Sequence, residues 1–497
     1  MKKIILLFLL FSNSLLFSQT ILNSYPLDLK KSNGYNQILT AENKQTHEIF
    51  VFATDNENIS ILKYNSSLFL TDQYKGPLKG IGDKSLIGYS FSKDGFPTLY
   101  WSTKSYETII AIKFYFDNRT SRPIGFVLSS EKQYVASQFQ LENSFNLLIK
   151  DLEKETLVLF TFDNGTVEEK TFDFSTFTFQ DKNTKLITFN HVIRENNIEK
   201  IENEEYNPLY RNAAKIKLYI DSNRLILTLD HNPKKTQVFE LNPKNSEIKE
   251  KNFVQSAIKK PRKNSNSFLQ DDKIYQTIAS DEELSLDIKD YNSGETLKKF
   301  YVSKNDTIDF KTSPLFIQRE GARAKELKTT KKFLNHLSYL DIGLSVFKNE
   351  EKTLFTLGGT PKIIKSSIYT GSIYYPMDVN FDPSVDHLTA VFNPNPINLH
   401  TESVYFESAM NADYTIVKQE QLEPLAIDNI YYFISLNKQI ALENILKYKD
   451  FYILSYYDTA SKQHIMRKFK DGFNSDDPFL DELNMPSSFK KPVSKRP

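Results

Sequence analysis

The chain contains no cysteine, one tryptophan and only 15 glycines in 497 residues. The missing cysteine excludes disulfides, thiolate nucleophiles and Cys-ligated metals together. Apart from the first 20 residues, no apolar run approaches the roughly 20 residues that a membrane-spanning helix needs. No excess of either charge exists: 63 Lys and Arg stand against 62 Asp and Glu. Such a balance provides no global attraction to nucleic acid or anionic lipid.

Further absences remove reaction classes. No Gly-x-Ser-x-Gly elbow occurs; Gly88-Tyr89-Ser90-Phe91-Ser92 lacks the second glycine. No phosphate-cradling glycine loop occurs either, and Gly358-Gly359-Thr360-Pro361 reads as a turn. The seven histidines (His47, His191, His231, His336, His387, His400 and His464) never recur at i+3 or i+4, so no helical metal pair is encoded. The densest acid–histidine neighbourhood is the loop Asp378–Pro383 with Asp386-His387. It could supply one carboxylate of a glycosidase pair, although turn chemistry accounts for its Asp-Pro step equally well. The sequence therefore assigns no catalytic residue, no metal ligand and no cofactor.

What is present is aromatic and strand-forming: 38 Phe and 27 Tyr, with apolar residues at 40% and charged residues at 25%. This composition favours globular, pleated, half-buried strands. The N-terminus (MKKIILLFLLFSNSLLFSQT) has a basic Lys2-Lys3, an apolar Ile4–Phe11 and a cleavage point near Ser18-Gln19. It reads as a secretory signal peptide over residues 1–18. The leader and the lack of cysteine together predict a bacterial periplasmic or extracellular protein. The Asn-x-Ser/Thr sequences at Asn58, Asn65, Asn118, Asn164 and Asn305 then read as chance matches in an Asn-rich chain.

The rest is organised by a period. Leu86–Phe116 reads as strand, Asp-Gly turn, strand, polar turn, strand, and weaker copies recur. Anchors at Phe50, Leu99, Leu147, Leu225, Ile274, Phe355, Tyr405 and Ile453 lie 49, 48, 78, 49, 81, 50 and 48 residues apart. Repeating short strands at such a spacing predict an all-β fold, a β-propeller of seven or eight four-stranded blades with eight favoured, over residues 19–470. Ser92-Lys93-Asp94-Gly95 running into Thr98–Ser102 resembles the blade motif of TolB-type and WD40-like propellers. That resemblance implies a fold and no activity. The last blade lacks an outer strand, and Thr20–Leu29 is expected to supply it by pairing the two chain ends.

The two long intervals mark insertions. One, about 181–215, is acidic and holds Glu195, Glu199, Glu202, Glu204 and Glu205. The other, about 311–340, is expected to carry the one inserted helix, REGARAKELKTTKKFLNHLSYL, with Leu327, Leu334 and Leu337 on one face. Its cations Arg319, Arg323, Lys325, Lys328, Lys331 and Lys332 are the candidate partner-binding residues. The functional reading is docking to an acidic protein surface or peripheral contact with anionic lipid headgroups; the structural ones are a solvated helix face and pairing with the acidic insertion. The basic run Lys259–Lys263 reads as a solvated loop behind a leader, so no nucleic-acid partner is expected. Residues 471–497 read as a flexible tail. Two functions are weighed: a non-enzymatic interaction scaffold in a cell-envelope complex, and a glycan-binding or glycan-cleaving propeller.

Overall fold

The computed structural model describes residues 20–29, 36–55, 57–128, 133–221, 224–259, 264–319, 324–349, 352–361, 402–418 and 422–472. These carry 32 strands and four short helices. The described residues divide into two compact units, one combining those up to Gly80 with 422–472, the other combining those from Ile81 to 361 with 402–418.

In chain order the strands are β1 (Ile21–Pro26), β2 (Gln37–Glu42), β3 (Ile49–Thr54), β4 (Asn58–Tyr64) and β5 (Leu70–Pro77). Next come β6 (Ser85–Phe91), β7 (Pro97–Ser102), β8 (Thr108–Tyr115) and β9 (Thr120–Val127). The third group is β10 (Gln133–Leu141), β11 (Ser144–Asp151), β12 (Thr156–Asp163) and β13 (Thr166–Asp173). The first insertion supplies β14 (Phe179–Gln180), β15 (Leu186–Ile187), helix α1 (Phe189–Glu195), β16 (Ile198–Ile201) and helix α2 (Leu209–Asn212). There follow β17 (Ile216–Asp221), β18 (Arg224–Leu229), β19 (Lys235–Leu241), β20 (Ile248–Val254), and then β21 (Asn264–Gln270), β22 (Lys273–Ala279), β23 (Glu283–Asp290) and β24 (Thr296–Ser303). The second insertion gives β25 (Leu315–Arg319), β26 (Lys325–Leu327) and helix α3 (Thr330–Leu337). The remainder is β27 (Asp341–Lys348), β28 (Thr353–Thr360), β29 (Glu402–Met410), helix α4 (Ala426–Leu436), β30 (Ile440–Tyr448), β31 (Phe451–Asp458) and β32 (Gln463–Phe469).

These strands make eight sheets: five of four strands, two of five and one two-stranded ribbon, β14–β15. The repeated antiparallel four-stranded meander is a propeller blade, and the fold class is all-β of the β-propeller kind, as the period predicts. Phe50, Leu99, Leu147, Leu225, Ile274 and Ile453 each lie on the second strand of a separate meander. Phe355 and Tyr405, by contrast, sit on adjacent strands, β28 and β29, of one sheet. Burial explains the sequence pattern. The second strands are covered on both faces, β3 and β7 being buried at every position, so they read as continuous apolar runs. The fourth strands β5, β9 and β13 are mostly exposed, with lysine, proline or paired acids that blunt their free edges.

In the first unit, β1 pairs antiparallel with β32 in the sheet β1-β32-β31-β30, with Tyr25 opposite His464. The expected pairing of the chain ends is therefore present, and Thr20–Leu29 supplies the outer strand of the sheet that contains Ile453. Helix α4, which the sequence reading missed, packs Ala426 and Ile430 against Tyr452, Leu454 and Phe469. Its run AIDNIYYFISL is aromatic and β-branched and so imitates a strand. Asp428, whose carboxylate accepts from the Leu425 N–H at 2.8 Å, starts the helix instead.

Turn chemistry sets the registers. At Ser92–Phe96 the Gly95 N–H donates to the Ser92 carbonyl at 2.8 Å, and Gly95 takes φ +78°, a conformation that costs a side chain but not glycine. Asn65, Asn118 and Asn164 stand at the equivalent turn between the third and fourth strands of three successive meanders. Asn65 and Asn118 accept backbone N–H groups two residues on, at 3.0 and 3.2 Å. Thr120 and Thr166 close the same turns with their hydroxyls. Two of the five glycosylation-like sequences, at Asn65 and Asn118, thus arise from Asx-turn chemistry, while Asn164 takes φ +46° and accepts from Lys113 Nζ at 2.7 Å.

The core of the second unit also holds a polar chain. Lys217 Nζ lies 2.9 Å from Asp230, both side chains fully buried. Asp230 also accepts from Thr236 Oγ1 at 2.7 Å and from the Ser267 hydroxyl and N–H at 2.8 and 3.0 Å. Gln276 continues it, donating to Thr236 at 3.0 Å and accepting from Lys289 at 2.8 Å. These bonds stitch β17, β19, β21, β22 and β23 together, which satisfies the rule that buried charge be paired and hydrogen-bonded.

Candidate functional site

The second insertion builds its surface from one five-stranded sheet, β26-β25-β29-β28-β27. Strand β25 pairs antiparallel with β29, placing Arg319 opposite Glu402, and β26 folds back on β25 with Leu327 opposite Leu315. The long helix expected from Arg319 to Leu340 is therefore corrected to strands β25 and β26 followed by an eight-residue helix, α3. It is also one of four described helices rather than the one inserted helix. Two physical reasons apply. The ladder of Gln318 and Arg319 with Ser403 and Glu402 claims the upstream backbone. Thr329, at φ −143°, then caps α3 through its hydroxyl, which accepts the Lys332 N–H at 3.3 Å.

Helix α3 buries Thr330, Phe333, Leu334 and Leu337. Phe333 meets Phe406 of β29 with ring centroids 5.7 Å apart, and Leu337 packs on Gly359 of β28, where a Cβ would come within 2.7 Å of its Cδ1. Leu334 and Leu337 share the helical face as expected, whereas Leu327 belongs to β26. The opposite face is cationic. Lys325, Lys328, Lys331 and Lys332 are all exposed, and none forms an ion pair with a described residue. Arg319 is exposed but engaged, its Nε 2.9 Å from Glu402, whose other oxygen lies 2.5 Å from His336 Nδ1. Arg323 lies outside the described residues. Tyr339, 79% exposed, completes the surface just past the helix C-terminus.

The charges sit against the local preference of the helix. Lys328, Lys331 and Lys332 crowd an N-terminal end whose first turn contains no acid. Unpaired amides already give that end partial positive charge, so each cation there costs a few tenths of a kcal/mol or more. His336 and Glu402 were not singled out from sequence; they are 66 positions apart and meet only because β29 returns beside the helix.

The acidic insertion does not neutralise this face. Strand β16 adds to its sheet in parallel with β17, Ile198 opposite Ile216. Helix α2 then lies across β27, where the Leu209 carbonyl comes within 2.9 Å of a Cβ placed on Gly343. Ser345 Oγ donates to the Asn207 carbonyl at 2.6 Å. Glu199 and Glu202 face the insertion's own Arg211 (3.6 Å) and Lys200 (2.7 Å).

Among the described residues, no three His, Cys, Asp or Glu side chains gather as metal ligands would. His464 is fully buried with Nε2 2.6 Å from Ser455 Oγ, and burial pushes its imidazole down to about 3. Burial likewise pushes His231 down to about 4. The loop Asp378–Pro383 with Asp386-His387 lies outside the described residues, as do His400 and the tail beyond Gly472. Of Lys259–Lys263 only Lys259 is described; its N–H donates to Glu283 at 3.0 Å. No described helix is long and apolar enough to cross a membrane.

No family model and no curated protein matches this chain. Solved structures with some likeness include the WD40 domain of SCAP from fission yeast, at 10% identity and TM-score 0.28 over 91% of this chain and 87% of that one. The Dos1 propeller matches at 8% identity and TM-score 0.31, over 89% of this chain and 81% of that one. The Nup133 β-propeller domain of Vanderwaltozyma polyspora matches at 8% identity and TM-score 0.24, over 55% and 77% respectively. The fold class rests on the blades themselves, and these likenesses assign no activity.

Proposed function

We propose that this chain is an exported, non-enzymatic β-propeller that serves as an interaction scaffold in a bacterial cell-envelope complex, periplasmic or extracellular, and binds an acidic protein surface through the face of β26 and α3. The observation that carries this reading is the unneutralised cluster Lys325, Lys328, Lys331 and Lys332 around the N-terminal end of α3. A local arrangement that opposes helix stability marks a functional surface more often than a neutral one does. An acidic partner placed there would relieve both the lysine repulsion and the unfavourable helix-end charge. Complementary charge of this kind raises association rate and selectivity, and salt weakens it.

The test is affinity capture of the leader-free protein from envelope extracts at low salt. A stoichiometric partner that dissociates as ionic strength rises, and binds at least about tenfold more weakly to a Lys328→Glu, Lys331→Glu, Lys332→Glu variant, supports the reading. Recovery of the protein alone, or a partner indifferent to both changes, sinks it.

A further inference from the structure

A second surface, in the first unit, has a different chemistry. The turn between β4 and β5 is held by Asn65, whose side-chain oxygen accepts the N–H groups of Ser67 and Phe69, each at 3.0 Å. Leu68 within it adopts φ +65°, a conformation that costs a branched side chain steric energy, and is buried in the core. The strained residue turns its neighbour outward: Phe69 is 69% exposed. Leu70 follows at 38%, and Ile21, at the start of β1, stands at 50%. These are joined at one end of the unit, because Asn23 Nδ2 donates to the Leu68 carbonyl at 3.4 Å. Of the four exposed large apolar side chains among the described residues of this unit, three therefore share one end, and Leu436 is elsewhere.

Two further facts describe that end. Thr20, just before Ile21, is held there by its carbonyl, which accepts the Lys468 N–H at 3.1 Å. The end also presents a cation: exposed Lys449 donates from Nζ to the Ser66 carbonyl at 3.0 Å, beside Tyr448, whose hydroxyl donates to the same oxygen at 2.8 Å. An aromatic and two aliphatic side chains projecting beside a lysine suit the boundary between lipid headgroups and acyl chains.

We propose that the end of the first unit bearing Ile21, Phe69, Leu70 and Lys449 is a membrane-contact surface that seats peripherally on an anionic bilayer. The contact is reversible, since three side chains bury too little apolar area for stable anchoring. It is independent of the lysine face on α3, and either surface can fail its test alone.

Leader-free protein is titrated with vesicles of phosphatidylethanolamine and phosphatidylglycerol. Trp101, the one native tryptophan, is buried and serves as a constant background, so a Phe69→Trp variant reports the surface directly. Its emission shifts to the blue on vesicle addition and is quenched by bromine-labelled acyl chains. Combining Phe69→Ser with Ile21→Ser lowers the vesicle partition coefficient roughly tenfold, whereas Lys328→Glu leaves it unchanged. Unshifted emission at saturating lipid overturns the proposal, as does vesicle binding that survives the double serine substitution. Emission that responds to envelope proteins but not to vesicles also overturns it and assigns the face to a protein.

Discussion

Lys217 and Asp230 form an ion pair at 2.9 Å with both side chains fully shielded from water. Burial alone would raise the Asp230 carboxyl, but the Lys217 ammonium and the Thr236 and Ser267 donors outweigh it and hold the group below the ordinary carboxylate range. Removing one partner leaves an uncompensated charge in the core. Lys217→Met should therefore destabilise the second unit by about 3–5 kcal/mol, read from urea denaturation. Lys217→Met together with Asp230→Leu should recover much of that loss. Equal loss in the single and double variants would show that the pair is not the cause.

The acid limb of stability should belong in part to His464. Its folded-state imidazole, pushed down to about 3 by burial, binds fewer protons than the unfolded one, whose ordinary value is about 6.5. A depressed histidine lowers stability as pH falls below the unfolded value, and the loss levels off only near the folded one. Within that window the slope from this residue is about 1.4 kcal/mol per pH unit. His464→Gln should flatten the dependence between about pH 6 and about pH 4, measured as denaturation midpoints across pH. An unchanged slope would place the acid sensitivity elsewhere.

Gly88 is a packing requirement. A Cβ there would lie 2.3 Å from Cδ2 and Cε2 of Phe145. That ring cannot retreat, being stacked on Tyr100 at 5.0 Å and tilted against Phe162 at 5.7 Å. Gly88→Ala should cost about 1–3 kcal/mol, seen as a lower Tm, and Phe145→Leu in the same chain should cost less than the sum of the two single changes.

Helix α3 separates stability from binding. Lys331→Glu and Lys332→Glu place acids at the positive end of the helix and should each stabilise by about 0.3–1 kcal/mol, while the same changes weaken the proposed acidic partner. Thr329→Ala should cost about 1 kcal/mol through loss of the cap. If charge reversal lowers both stability and binding together, the lysines act by holding the fold and not as a docking surface.

Deleting β1 should expose the edge of β32, with Tyr25 no longer opposite His464. The expected outcome is concentration-dependent association seen by light scattering, because an unpaired edge strand templates strand addition. A monodisperse truncated protein would mean that other groups guard that edge.

The candidate site was only half legible in the sequence. The cations and the leucine face of Leu334 and Leu337 were visible, because both depend on residue type and helical spacing. The hairpin that replaces the upstream helix was not: β25 is a strand because β29 pairs with it from 83 residues away, Arg319 to Glu402. Propensity favoured helix at Lys325–Leu327, and pairing with β25 made it strand β26 instead. The Thr329-Thr330 step, with its capping hydroxyl, was the local signal that could have placed the helix start.

By itself the sequence determined the blade period, six of the eight anchors as second strands of separate meanders, and the Asp94-Gly95 hairpin. It also determined the pairing of the chain ends, since strand alternation and turn residues act over a few positions and repeat. Tertiary structure alone decided that Phe355 and Tyr405 share a sheet, and that the acidic insertion adds β16 to β17 and lays helix α2 against β27. It likewise buried Lys217 beside Asp230 and turned Phe69 outward through a strained Leu68. Each of these depends on contacts between residues that neither spacing nor composition brings together.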